Sequence, residues 1–170
     1  LPSDVMKIPE LFDPYVELFQ ILDGKGQLHS PNGQFLGRLS SKADYVNSIL
    51  NPVGDYGNSF SPISIHNPQG DYGGEFGIYS PFNPNCLNPP LICFLDQPIL
   101  VLTINPSLCT NGLKRVDPYL MLTIYEALSN TPFTGQSPPA LPLARKAALA
   151  QLQAKIAQLN VTLFGLSNEE

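Results

Sequence analysis

A seven-residue phrase occurs twice at a fixed offset, and it constrains the fold more than anything else in the chain. Asn51-Pro52-Val53-Gly54-Asp55-Tyr56-Gly57 returns sixteen residues later as Asn67-Pro68-Gln69-Gly70-Asp71-Tyr72-Gly73, with six of the seven positions identical. Asn83-Pro84 follows at the same spacing, after which Cys86 and Leu87 replace the Gly and the Asp. Ser48, Ser64 and Ser80 share a register, as do Phe60 and Phe76. Proline pushes the residue before it out of the α region, so Asn51 and Asn67 are extended. An extended Asn closes a turn onto the backbone two residues on. Gly54, Gly57, Gly70 and Gly73 are expected to supply positive φ. Helix is therefore excluded here. The expected unit is a short strand near Ser-Ile, a tight Asn-Pro-x-Gly turn, and a Tyr (Tyr56, Tyr72) with a buried ring and a bonded hydroxyl. Sixteen residues is shorter than the usual solenoid repeat of about 20–45, so an array of turns with short β-pairings is expected.

The flanks read differently. Residues 1–22 form a Pro-punctuated arm followed by a first strand over Val16–Leu22, closed by Asp23-Gly24. A β-turn-repeat domain is expected over 23–130. It opens with a hairpin from Gln27 to Leu39 that turns at Ser30-Pro31-Asn32-Gly33. Leu91–Leu95 and Ile99–Ile104 read as a second, well-buried hairpin separated by Asp96-Gln97-Pro98. Asp117-Pro118 starts a helix near 117–128, Asp as cap and Pro at the first position, with Leu120, Ile124, Ala127 and Leu128 as its apolar face. Residues 131–141 read as a Pro-rich linker, and 142–164 as a C-terminal helix. There Leu149, Leu152, Ile156, Leu159 and Leu163 are spaced 3, 4, 3, 4, a narrow heptad seam suited to binding a partner. The fold class is α+β: a β-rich turn-repeat module with short hairpins, one short helix and a separate C-terminal helix.

Charge bounds the function. The chain has 170 residues, 9 Lys plus Arg, 14 Asp plus Glu and a net charge of −5. Only 14% of residues are charged, against about 25% in a typical domain. Between Ala43 and Leu113 there is no Lys or Arg, while Asp44, Asp55, Asp71, Glu75 and Asp96 lie inside that span. Such a surface suits a cation or a basic partner and repels phosphate, so nucleic acid is not expected. No apolar run is long enough for a membrane-spanning segment. The first residue is Leu1, and the low charge and the Asn and Pro content lean towards an extracytoplasmic location.

At Gln34-Phe35-Leu36-Gly37-Arg38-Leu39-Ser40-Ser41 and the Asn-Pro-x-Gly-x-Tyr-Gly copies, the sequence resembles an uncharacterised family of bacterial, mainly cyanobacterial, proteins. Its members carry a Leu-Gly-x-Leu-Ser strand, then tandem Asn-Pro-Tyr-Gly-x-Tyr-Gly-Ser turns ending near Pro-Pro. Val53 and Gln69 stand where that family often has Tyr, and the Asp before each Tyr is less usual. The resemblance covers about residues 23–105. It implies a recurring β-turn module and no catalytic residue.

The search for chemistry returns little. His29 adjoins a turn. His66 takes the register of Leu50 and Phe82, which marks a packing position. Cys86, Cys93 and Cys109 match no common zinc spacing; they read as buried free thiols or as one disulfide plus an odd thiol. Asp55 and Asp71 occupy one register and allow three readings: solvated turn residues, Ca²⁺ ligands together with Asn or Ser oxygens, or an acid/base pair. No other cofactor is expected. The favoured function is a non-enzymatic structural or assembly subunit. It would bind a protein partner, or itself as a homo-oligomer, through the C-terminal helix and an apolar, low-charge surface. The alternatives are a calcium-stabilised carbohydrate-binding module of the cell surface and a hydrolase using the paired aspartates.

Overall fold

The computed structural model describes residues 13–130. The expected N-terminal arm, the Pro-rich linker and the C-terminal helix with Leu149, Leu152, Ile156, Leu159 and Leu163 lie outside the described residues. The fold is α+β and rich in β-structure. The elements are α1 (Asp13–Leu22), β1 (Gln27–His29), β2 (Phe35–Arg38), β3 (Leu91–Phe94), β4 (Gln97–Leu102), β5 (Lys114–Val116) and α2 (Pro118–Asn130). The strands form one sheet in the order β2-β1-β3-β4-β5. Its pairs are antiparallel except β4 with β5. Backbone packing groups Leu22–Thr134 into a compact unit and leaves α1, up to Ile21, in a second.

The segment expected as a first strand, Val16–Leu22, is helix. Tyr15, Leu18, Phe19 and Leu22 are all buried, and their 3, 1, 3 spacing is one helical face rather than strand alternation. Pro14 sits in the first turn, where a missing N–H costs nothing. Gly24, at φ 79, ends the helix, and the amides of Lys25 and Gly26 bond back to the Leu22 carbonyl.

Both hairpins form. The first turns through Ser30–Gly33, with Gly33 at φ 96 and its amide on the Ser30 carbonyl at 2.9 Å. The second turns on Leu95 and Asp96, at φ 53 and 65, a two-residue loop whose twist matches the strands. Gln97 and Pro98 accordingly belong to β4, where a register shift between Ile92 and Cys93 accommodates the proline. Ile99, Leu100, Val101 and Leu102 are buried in succession, as expected of a strand covered on both faces. Strand β5, Lys114-Arg115-Val116, has no apolar pattern of its own. It is placed by its parallel register with Leu100–Leu102. Helix α2 starts as the Asp117-Pro118 signal requires, with the Tyr119 amide on Asp117 Oδ1 at 2.8 Å. Its buried face is Pro118, Met121, Ile124 and Tyr125; Ala127 is exposed and Leu120 and Leu128 are half-buried. The stripe is rotated from the expected one because Tyr125, with the largest ring on the helix face, is fully enclosed.

Between β2 and β3 the chain makes neither helix nor strand. The short strands expected near Ser-Ile do not form. Only a single bridge pairs Ser48 with Arg38. The chain instead makes one turn after another, each sharing its corner residue with the next. Amides of Tyr45, Ser48, Asn51 and Gly54 bond to carbonyls three residues back, as do those of Ser61, Ser64, Asn67 and Gly70, and of Gly77, Ser80, Asn83 and Cys86. Where the series would otherwise continue in threes, Gly54 and Gly70 each accept two amides, from Gly57 and Asn58 and from Gly73 and Gly74. Each of these wider turns inserts one residue. Five steps of three plus one extra residue give the sixteen-residue repeat seen in the sequence.

The repeat glycines have a different role from the one expected. None of Gly54, Gly57, Gly70 or Gly73 has positive φ; that conformation belongs to Gly24, Gly33, Gly37 and Gly112. The repeat glycines are required by close backbone approach. A Cβ on Gly73 would stand 2.5 Å from the Asn67 carbonyl oxygen and 2.6 Å from that of Ile65. Gly57 is equally closed by the Asn51 backbone. Backbone cannot swing aside as a side chain can. Gly73→Ala is therefore expected to cost roughly 2–3 kcal/mol or more. Gly33→Ala meets nothing within 4 Å and is expected to cost only about 1 kcal/mol for its left-handed backbone. Urea midpoints of the two variants check the order. Equal losses would remove the close-packing account.

Candidate functional site

The turn array carries the repeat residues singled out by the sequence, from Asn51 to Tyr72. Each copy uses the same side chains on its own backbone. Asn51, Asn67 and Asn83 accept through Oδ1 from the amides of Val53, Gln69 and Asn85, at 3.0, 2.9 and 2.9 Å. Through Nδ2 they donate six residues back, to the carbonyls of Tyr45, Ser61 and Gly77, at 3.2, 2.9 and 2.8 Å. Ser48, Ser64 and Ser80 accept from the amides of Leu50, His66 and Phe82. The hydroxyls of Ser48 and Ser64 also donate eight residues back, to the carbonyls of Ser40 and Tyr56. Short polar side chains thus meet the backbone groups that no ladder satisfies. The following residue points inward, so that Ile49, Ile65 and Pro81 are buried in one register. Pro52 and Pro68, at the second position of their turns, are exposed.

The array is fastened to the sheet at both ends. The Arg38 amide bonds to the Asn47 carbonyl at 2.7 Å, and the Ile49 amide to the Arg38 carbonyl at 3.1 Å. At the far end the Ile104 amide bonds to the Pro81 carbonyl, and Asn105 Nδ2 donates to the Cys86 carbonyl at 2.9 Å. Asn105-Pro106 is a further Asn-Pro, outside the sixteen-residue register. It closes the same Asx turn, onto Ser107, and caps the array.

The tyrosines join the array to the first hairpin. Tyr56 meets Phe35 edge-on, with centroids 5.0 Å apart. Tyr72 stacks on Tyr79 at 5.4 Å and its hydroxyl accepts from Asn32 Nδ2 at 2.9 Å. Both rings are half-buried rather than enclosed. Asp55 and Asp71 stand exposed at equivalent wide turns. Among the described residues, no group of three or more His, Cys, Asp or Glu is placed to hold a metal ion.

The histidines are engaged separately. His29 Nε2 pairs with Gln27 Oε1 at 2.9 Å. His66 Nε2 lies 2.7 Å from the Ile49 carbonyl oxygen. A carbonyl only accepts, so this nitrogen carries the proton, and the bond ties the second copy to the first. Burial lowers the His66 pKa; the Ile49 bond and the charge of Glu126 oppose that shift. Cys86, Cys93 and Cys109 are free thiols, respectively buried, half-buried and exposed. Burial raises the pKa of the Cys86 and Cys93 thiols, away from the reactive thiolate. Cys86 Sγ donates to the Ile78 carbonyl at 3.2 Å, the same eight-residue reach that Ser48 and Ser64 make.

Two features escaped the sequence reading. The three-residue step was legible as small or polar residues at every third position: Ser48, Asn51, Gly54, then Ser61, Ser64, Asn67, Gly70. The outward direction of the apolar residues had no such signal. Phe60 and Phe76 are 87% and 82% exposed, and Val46, Val53, Ile78 and Leu87 are also exposed. No helix among the described residues is long and apolar enough to cross a membrane. Comparison with family models, curated proteins and solved structures finds no match to the chain.

Because the folded state favours neutral His66, the unfolded chain takes up its proton first as pH falls below the ordinary value of 6.5. Stability is expected to decline from there down to the folded-state pKa, with a slope no steeper than about 1.4 kcal/mol per pH unit for one proton. His66→Gln, which keeps an N–H for Ile49, is expected to flatten this decline in urea titrations between about pH 7 and 5.5. An unchanged slope in the variant would assign the dependence elsewhere.

Proposed function

We propose that this protein is a non-enzymatic assembly subunit that associates with a protein partner or with copies of itself. The observation that carries this reading is the outer surface of the turn array. Its backbone is held by internal hydrogen bonds, yet it turns Val53, Phe60, Phe76, Ile78 and Leu87 outward at 58–87% exposure. Single exposed apolar side chains are ordinary, but a series of them on a fixed frame without Lys or Arg of its own is the pattern of a contact surface. Burying one Phe from water contributes about 1.5–3 kcal/mol, so a few such side chains offset much of the cost of association.

The same geometry weighs against the two alternatives. Tyr56 and Tyr72 are engaged with Phe35 and Tyr79, which leaves less ring face for stacking on a sugar. Asp55 and Asp71 are exposed, and the ring nitrogen of His66 that bonds is committed to a main-chain carbonyl. Neither arrangement favours hydrolysis or a calcium site.

Sedimentation equilibrium of the full chain over a wide concentration range tests the reading. Concentration-dependent association is expected, and removal of residues 141–170 is expected to weaken it. A clean monomer throughout, unaffected by that truncation, would contradict the proposal.

A further inference from the structure

Resting on the assembly reading above, we propose that the contact runs head to tail: the Phe60 and Phe76 corners of one chain receive the 142–164 segment of a second copy. Two independent observations meet here, one from the array and one from the composition of the segment.

The first is the chemistry of the corners. Phe60 and Phe76 hold the same place in equivalent turns, Asn58–Ser61 and Gly74–Gly77. The turns immediately before them carry Asp55 and Asp71, and Glu75 adjoins Phe76; all three carboxylates are exposed. No Lys or Arg lies between Ala43 and Leu113 to neutralise them. Each corner therefore presents an exposed ring close in sequence to exposed negative charge.

The second is the opposite pattern elsewhere in the same chain. From Ala127 to Asn168 there is no Asp or Glu, while Arg145, Lys146 and Lys155 are present. The spacing of Leu149, Leu152, Ile156, Leu159 and Leu163 predicts an apolar seam on this basic segment. One part of the chain offers apolar rings with negative charge, and another offers apolar side chains with positive charge.

Complementarity then selects the pairing. Two array faces brought together would oppose like charges, and so would two basic segments, whereas face against segment joins apolar to apolar and opposite charge to opposite charge. Such a contact is heterologous. Each joined pair keeps one free face and one free segment, so growth continues until a ring closes or an open chain extends.

A complementation experiment on the full chain tests this. Phe60→Ser/Phe76→Ser spoils the face at two side chains exposed enough to leave the core untouched. Leu152→Asp/Ile156→Asp spoils the segment. Each variant alone is expected to lose association, its Kd rising at least about tenfold, the effect of losing a central contact. An equimolar mixture is expected to form dimers and nothing larger, because one intact face and one intact segment remain. Those dimers are expected to weaken as salt rises well above about 0.15 M. If Phe60→Ser/Phe76→Ser associates like the unaltered chain, the head-to-tail contact is wrong while the assembly reading survives. If both variants are monomeric and the mixture is too, the contact is isologous and the inference fails. If the unaltered chain is itself monomeric, the head-to-tail contact fails and self-association with it, leaving of the assembly reading only a different protein partner.

Discussion

A long stretch of chain outside helix and sheet must still satisfy its backbone amides and carbonyls, and the unit from Leu22 to Thr134 is organised by how it does so. From Lys42 to Cys86 the corner amides bond back to the preceding corner, in steps of three residues except at the two wider turns. Between the corners, the amides of Leu50, Val53, His66, Gln69, Phe82 and Asn85 are met by Ser and Asn side-chain oxygens, and the Ser40 and Tyr56 carbonyls by Ser hydroxyls eight residues on. Unmet groups of this kind cost about 1–3 kcal/mol each when buried. Asn and Ser at fixed intervals are thus a condition for this backbone path to exist. The glycines follow from the same condition, because a path this tight brings carbonyl oxygens to within 2.5–2.6 Å of where a Gly73 Cβ would stand.

Division of labour follows. The sheet supplies the apolar core through Leu28, Leu36, Ile92, Phe94, Leu100 and Leu102, and the array adds Ile49 and Ile65 to the buried set. The array ends are pinned at Arg38 and at Ile104 and Asn105. With shape fixed from within, the outward positions are not needed for folding. Val53, Gln69 and Asn85 share one such position with three unrelated side chains. Phe60 and Phe76 are the contrary case, since an exposed ring is kept in both copies.

Much of this was legible in the sequence, and the gaps have physical causes. The two hairpins, the Asp117-Pro118 helix start and the Asn-Pro turns were readable because each depends on local chemistry: turn residues, a cap and the pre-proline restriction. Val16–Leu22 was misread because a short apolar run fits either period, and only the burial of Tyr15 with Leu18, Phe19 and Leu22 fixes the helical one. Strand β5 was invisible because Lys114 and Arg115 carry no strand pattern and pairing with β4 places them. The repeat glycines were recognised but given the wrong reason, since φ and close approach leave the same residue in the sequence. Of the candidate site, the register of Asp55 with Asp71 and of Phe60 with Phe76 was visible, but not which of them faced solvent.

The central claim is that the turn array is a fixed frame held by its own backbone and by Asn and Ser side chains. Amide hydrogen exchange on the full chain tests it most directly. Protection at the corner amides of Ser48, Asn51, Gly54, Ser64, Asn67, Gly70, Ser80 and Asn83 is expected to approach that of the β4 amides Leu100 and Leu102 and to be lost with them in one cooperative opening. Exchange at those corners near the rate of an open chain, while β4 stays protected, would contradict the claim.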